Sequence, residues 1–244
     1  MDVPLPGRAG KHGRATPADR YTGAMQLQRA DIRVIPAHEN RRVRWKNGLG
    51  WTREIARVPA DRAHDLAWTQ ADRSSDDEWD WRLSVAEIEQ DSAFSMFPGI
   101  DRELVLLSGN GLRLRFADGS AIELLPPHGA ARFAGEEAVI GELIDGRTTD
   151  FNLMWRRDAV AATLWRRPLA GAMVVFADPG DTWVVHVIAG SAGFADGSPH
   201  SALQPGDTAL IAGHNGRARC VLEGAGEALL IRLARPSNAA IRSP

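Results

Sequence analysis

The stretch Leu104-Val105-Leu106-Leu107-Ser108-Gly109-Asn110-Gly111-Leu112-Arg113-Leu114-Arg115-Phe116-Ala117-Asp118-Gly119-Ser120-Ala121-Ile122-Glu123-Leu124-Leu125 holds three short apolar runs separated by two turn signals. Glycine, with asparagine or aspartate beside it, accepts the positive φ of tight hairpins. Runs of this length suit strands rather than helices, so a β-meander is predicted. Outward from it, similar runs recur at residues 51–56, 79–88, 139–143, 173–177, 183–189, 208–212, 218–222 and 228–233. No long stretch carries a dominant helical period with both caps, although residues 150–160 are expected to hold a helical turn.

A weak two-fold repetition accompanies this pattern. Residues 104–109 and 184–190 are apolar runs ending in a small residue and glycine, and Asp118-Gly119 and Asp196-Gly197 follow them. Leu203-Gln204-Pro205-Gly206-Asp207 then introduces a further strand. The expected fold is all-β, two small antiparallel β-barrels of jelly-roll type in one chain. The first barrel is assigned to residues 25–165 and the second to 166–237, with the boundary near Arg166-Arg167-Pro168. Residues 1–24 read as a flexible N-terminal extension, with Met25 as an alternative start, and 238–244 as a tail.

The chain has 244 residues, 44% hydrophobic and 25% charged, which is ordinary globular composition with enough apolar mass for such cores. Its apolar runs fall far short of the roughly 20 residues that cross a bilayer as a helix, so no membrane partner is expected. A formal charge of −2 argues against non-specific nucleic-acid binding. The single cysteine, Cys220, forms neither an internal disulfide nor a cysteine metal cluster, and a cytoplasmic location is expected. The seven histidines show no HxH or HExxH spacing, so no metal is expected. His186, alone in an apolar run, reads as a hydrogen-bonded core residue. Neither a phosphate-cradling glycine loop nor a Gly-x-Ser-x-Gly elbow is present, so no nucleotide cofactor and no covalent catalysis are expected.

Four segments carry polar chemistry among apolar residues. In Arg44-Trp45-Lys46-Asn47-Gly48-Leu49-Gly50-Trp51-Thr52-Arg53-Glu54-Ile55, period-two counting puts Arg53 with Trp51 and Ile55, and Thr52 with Glu54 on the other face. A charge beside large apolar groups needs a partner, either a glutamate of the protein or a bound anion. In Trp79-Asp80-Trp81-Arg82-Leu83-Ser84-Val85-Ala86-Glu87-Ile88, Arg82 and Ser84 share a face with Ala86 and Ile88. Both faces are partly apolar, so Arg82 is expected to be enclosed, its planar fork matched to a carboxylate of the protein or of a ligand. Phe94-Ser95-Met96-Phe97-Pro98-Gly99-Ile100-Asp101-Arg102-Glu103 contributes Asp101 and Arg102, either as a pair or separately. Asp150-Phe151-Asn152-Leu153-Met154-Trp155-Arg156-Arg157 contributes Asp150 and Asn152, for capping and turn duty or for a site.

These blocks, in this order, resemble the HutD/Ves family, strongly over about 25–167 and in outline beyond. The resemblance implies a bicupin fold and an association with histidine utilisation, in which the family restrains expression of the pathway rather than catalysing a step. Cupins that do chemistry usually hold a metal through histidines and a glutamate. The positions that would carry them here fall at residues 94–98 and at Arg102 or Glu103, with no histidine among the first set. A fixed guanidinium can bind the same carboxylate that a metal would. The expected function is therefore a metal-free, cofactor-free bicupin binding a small acidic metabolite of the urocanate or N-formylglutamate class. Arg53, Arg82 or Arg102 would take the carboxylate, with Ser84 beside Arg82. Lys46 would add charge, Asn47 or Asn152 would read an amide or formyl group, and Trp51, Phe94, Phe97 and Phe151 would supply apolar walls. The alternative is a metal-independent isomerase or hydrolase using Glu54 or Asp101 as general base. An interaction module built on the second barrel and a homodimer are left open.

Overall fold

The computed structural model describes residues 27–45, 48–58, 66, 79–195, 202–213 and 216–236. Lys46 and Asn47, the segments 1–24 and 238–244, and Asp196-Gly197 lie outside the described residues. Among the described residues sixteen strands follow one another: β1 (Gln28–Arg29), β2 (Asp31–Ile35), β3 (Arg41–Arg44), β4 (Gly50–Val58), β5 (Trp81–Ile88), β6 (Ser92–Ala93), β7 (Ile100–Ser108), β8 (Leu112–Phe116), β9 (Ala121–Leu124), β10 (Ala130–Ala134), β11 (Val139–Leu143), β12 (Thr148–Arg156), β13 (Ala161–Ala177), β14 (Thr182–Phe194), β15 (Thr208–Ala212) and β16 (Ala218–Ala234). One short 3-10 turn, Ala37–Glu39, interrupts them.

Three sheets result. The central sheet runs β10-β7-β12-β5-β4-β3, a small sheet runs β6-β11-β8-β9, and a long sheet runs β1-β16-β14-β15-β2 with β13 on the other edge of β16. The central sheet is covered on both faces. One packs Ile55, Leu83, Phe151 and Leu153 against Val184, Leu229 and Ile231 of the long sheet. The other packs Ala86, Ile88, Leu104 and Leu106 against Leu112, Leu114 and Val139 of the small sheet. Double coverage explains why these strands read as near-continuous apolar runs, and the central and small sheets together enclose a barrel-like space.

Of the predicted meander only the β8–β9 hairpin forms: β7 pairs with β10 and β12 in the central sheet, so the Gly109-Asn110-Gly111 turn carries the chain from one sheet to another. Several strands differ from expectation. The runs 218–222 and 228–233 belong to one strand, β16, although Gly224 and Gly226 lie between them. There β14 carries a bulge between Val187 and Ala189, and Gly226 sits opposite at φ +134°, where a Cβ would lie 2.0 Å from the Ala189 carbonyl. Glycine here therefore lets two strands approach rather than ending one. Residues 150–160 are strand as far as Arg156. Only then does Val160 N–H bond to the Arg156 carbonyl, a single helical turn that ends the strand. Arg166-Arg167-Pro168 lies within β13, and β2 pairs with β15, so the N-terminal strands join the sheet of the C-terminal half. No described helix is long and apolar enough to cross a membrane.

Candidate functional site

The concave face of the central sheet carries its polar residues in three cross-strand rows, fixed by register. Arg57 lies opposite Arg82, Arg82 opposite Met154, and Met154 opposite Arg102. In the next row come Glu54, Ser84, Asn152 and Leu104, and in the third Thr52, Ala86, Asp150 and Leu106. Directly opposed side chains stand about 5 Å apart, so each row is a line of contacts. A bulge between Glu54 and Ala56 places Glu54 and Arg57 on one face, three residues apart. Period-two counting alone puts Arg57 on the far face, and for that reason the sequence does not reveal it.

Over these rows lies a hollow of about 900 Å³. Ala93, Phe94, Ser95 and Phe97 close one side, while Val43, Arg44 and Trp45 close another. Trp45 is fixed by its Nε1–H, which donates to Thr52 Oγ1 at 2.8 Å. Glu54 is 4% exposed, and its Oε2 accepts from Arg57 Nε at 3.1 Å, Arg57 Nη2 at 2.8 Å and Arg82 Nε at 3.0 Å.

Arg102 is held differently. It is 6% exposed, has no carboxylate partner among the described residues, and its Nε–H has no acceptor. Its Nη1 reaches only the Ser95 carbonyl, at 3.5 Å. The rings of Phe94, Phe97 and Phe133 stand 5.0, 5.9 and 5.1 Å from the guanidinium carbon, which offsets part of the desolvation by cation–π attraction. Burial, reinforced by the charge of Arg82, pushes the Arg102 pKa down to about 10, so the group remains cationic at neutral pH. Asp150 shows the converse effect. Burial pushes its carboxyl up to about 7 against the opposing hydrogen bond from Thr148 Oγ1. Asp150 Oδ1 and Asn152 Oδ1 are buried without donors. Arg57, Arg82 and Arg102 thus face the hollow with Glu54 and a partly protonated Asp150, and Arg41 and Arg44 also line it. Positive charge is in excess.

Of the sequence-predicted residues, Arg82, Ser84, Arg102, Asn152 and Glu54 come together on this face. Lys46 and Asn47 lie outside the described residues. Arg53 does not join the group. It points from the opposite face of β4, where its Nε donates to Glu87 Oε1 at 2.6 Å, because it alternates with Thr52 and Glu54. Asp101 alternates with Arg102 in the same way and lies outside, accepting from Arg132 and Arg157 at 2.9 Å each. Neither residue can touch a molecule in this hollow. Phe94 and Phe97 form walls as expected. Trp51 instead lies beneath the guanidiniums of Arg42 and Arg44, and Phe151 is fully buried against His186. Arg57 is added, and Asp150, which the sequence left between turn duty and a site, faces the hollow from its buried position in β12.

Of the residues at which the cupin resemblance would place metal ligands, Phe94, Ser95, Phe97 and Arg102 line the hollow. Aromatic rings offer no donor atom for a metal ion, and a guanidinium repels one. Among the described residues, no three His, Cys, Asp or Glu are grouped to hold a metal ion.

Comparison with known proteins follows the same outline. A family model described as HutD matches residues 37–230. An uncharacterized 21.2 kDa protein in the hutC 3′ region of Pseudomonas putida is 36% identical over 135 residues, 55% of this chain and 64% of that protein. Protein Ves of Cronobacter sakazakii is 37% identical over 133 residues, 54% of this chain and 62% of that protein. The chain therefore spans somewhat under two thirds of the length of these relatives. The solved structure of HutD from Pseudomonas fluorescens SBW25, in a formate condition, is 28% identical with a TM-score of 0.68, covering 85% of this chain and 100% of that one.

Proposed function

Because the chain belongs to the HutD family, of cupin-like fold and related to histidine utilisation, we propose that it binds a small carboxylate-bearing metabolite in the hollow over the central sheet and modulates that pathway without catalysing a step. The observation that carries this reading is Arg102, a buried guanidinium whose Nε–H has no acceptor and which has no carboxylate partner among the described residues. An unpaired buried charge is costly, and a ligand carboxylate that reaches Arg102 removes the cost. Arg82 stands two strands away in the same row, with the uncharged Met154 between them, so both guanidiniums can address one anionic group. Asn152 and Asp150, each with a free buried oxygen, suit a donor such as an amide N–H at the other end of the molecule. Both candidate acids have this division, N-formylglutamate with an amide N–H and urocanate with an imidazole N–H. In this reading the chain is a bicupin, the central and small sheets forming a first barrel within 25–165 and the long sheet most of a second within 166–237, and the protein acts in the cytoplasm without a metal or other cofactor.

Calorimetric titration with the two acids tests this. The intact chain should release or absorb heat on binding one of them, and Arg102→Met should weaken that binding at least about tenfold. No heat with either acid at millimolar concentration would remove the proposal. One observation favours a second reading as a metal-independent isomerase or hydrolase: Asp150 is a carboxyl facing a cavity and titrating near neutrality. In that case the bound acid would be consumed, and Asp150→Asn would bind it without turnover.

A further inference from the structure

The opposite face of the central sheet has a hollow of its own, of about 780 Å³, at the open end of the cleft against β14 of the long sheet. Val85, Leu107 and Ile188 give it an apolar wall. Two of its lining groups are unlike ordinary core residues. His186 is 2% exposed, its ring lies 4.9 Å from that of Phe151, and its one hydrogen bond among the described residues joins Nδ1 to Thr208 Oγ1 at 2.9 Å. The other ring nitrogen, Nε2, has no hydrogen-bond partner among the described residues, on a residue that lines the hollow. Asn40 lines the same space, and its Oδ1 is buried with no donor. Burial pushes the His186 pKa down to about 4, against the charge of Asp207, so the ring is neutral and exchanges hydrogen bonds without leaving a buried charge.

The charged lining is uneven. Glu87 is engaged by both Arg42 and Arg53. Arg147, exposed on the lining, has no carboxylate partner among the described residues. Unlike a purely apolar cavity, this one offers an available cation at its surface, an apolar wall, and two unsatisfied polar atoms within.

We propose that this hollow is a second small-molecule site, for an acid with a flat apolar body and a hydroxyl group: the carboxylate pairs with Arg147, the body lies along Val85, Leu107 and Ile188, and the hydroxyl meets Asn40 and the Nε2 edge of His186. The site is distinct from the first hollow: Arg53, Val85 and Glu87 alternate with Thr52, Glu54 and Ala86 and project to the opposite face of the sheet, and Ile88 is the one residue that lines both among the described residues.

The test uses the full chain labelled with 15N, observing the ring nitrogens of His186 by long-range proton–nitrogen correlation while para-hydroxybenzoate is added. The His186 nitrogens should shift saturably. Arg147→Ala, an exposed substitution that leaves the core intact, should weaken binding about tenfold. Benzoate, which lacks the hydroxyl, should bind more weakly than para-hydroxybenzoate. Arg102→Met, which alters only the first hollow, should leave the His186 titration unchanged, so failure here is distinct from failure of the first site. Unmoved His186 nitrogens at millimolar probe, equal affinity in Arg147→Ala, equal affinity for benzoate, or loss of the shift in Arg102→Met would each overturn the proposal.

Discussion

Asp150→Asn separates a buried carboxyl that merely fills space from one whose protonation is set by the fold. In the folded chain burial raises the Asp150 pKa from an ordinary 3.8 to about 7, with the Thr148 hydroxyl opposing the shift. The folded state therefore holds the proton more tightly than the unfolded chain. Where the unfolded state binds fewer protons, stability falls as pH rises. The contribution is fully present below about pH 4 and is lost progressively as pH climbs through about 7. The gap between the two values corresponds to about 4 kcal/mol. Asparagine is neutral throughout and its Oδ1 can still accept from Thr148. The variant should thus match the parent near pH 4 and exceed it by up to about 4 kcal/mol near pH 8.5. Urea unfolding of both proteins at the two pH values measures the difference. A difference that stays constant to within about 1 kcal/mol between them would refute the reasoning. The same logic reaches the ligand: an acid in the hollow adds negative charge beside Asp150 and should bind more weakly above pH 7 than below it.

Other outcomes follow from the same rows of residues. Glu54→Gln strips the charge that Arg57 and Arg82 share, and should cost about 3 kcal/mol in urea unfolding while leaving the hollow in place. Arg53→Gln removes an exposed ion pair on the opposite face and should change stability by less than about 1 kcal/mol, with acid binding in calorimetry unaltered. Gly226→Ala forces a Cβ into the Ala189 carbonyl at a positive φ and should lower the urea midpoint by the equivalent of about 2 kcal/mol or more.

The strand pattern was legible because its signals are local. β8, β11 and β15 have the bounds their apolar runs predict, and Asp118-Gly119 closes the β8–β9 hairpin, whereas Gly109-Asn110-Gly111 leads from the central sheet to the small one, a crossing that no local signal marks. Alternation along a single strand correctly placed Arg82 with Ser84 and Arg53 away from Glu54. What stayed hidden depends on other strands. The Glu54–Ala56 bulge that turns Arg57 inward arises from pairing with β5, and nothing in residues 54–57 marks it. Asp150 looks like a turn residue until β5 and β7 flank it and exclude water. Asp101 and Arg102 are neighbours in sequence yet face opposite ways, so a pair that proximity suggests is one the pleat forbids. Gly224 and Gly226 resemble a strand end because close approach between strands and a turn both call for glycine.

The place where an acid sits decides between a ligand pocket and an inert hollow. Crystals of the full chain grown with urocanate or N-formylglutamate test it most directly. The ligand carboxylate should lie within hydrogen-bond distance of Arg102 and Arg82, with its nitrogen-bearing end toward Asn152 and Asp150. A ligand bound elsewhere, or in this hollow with its carboxylate turned away from Arg102, would contradict it.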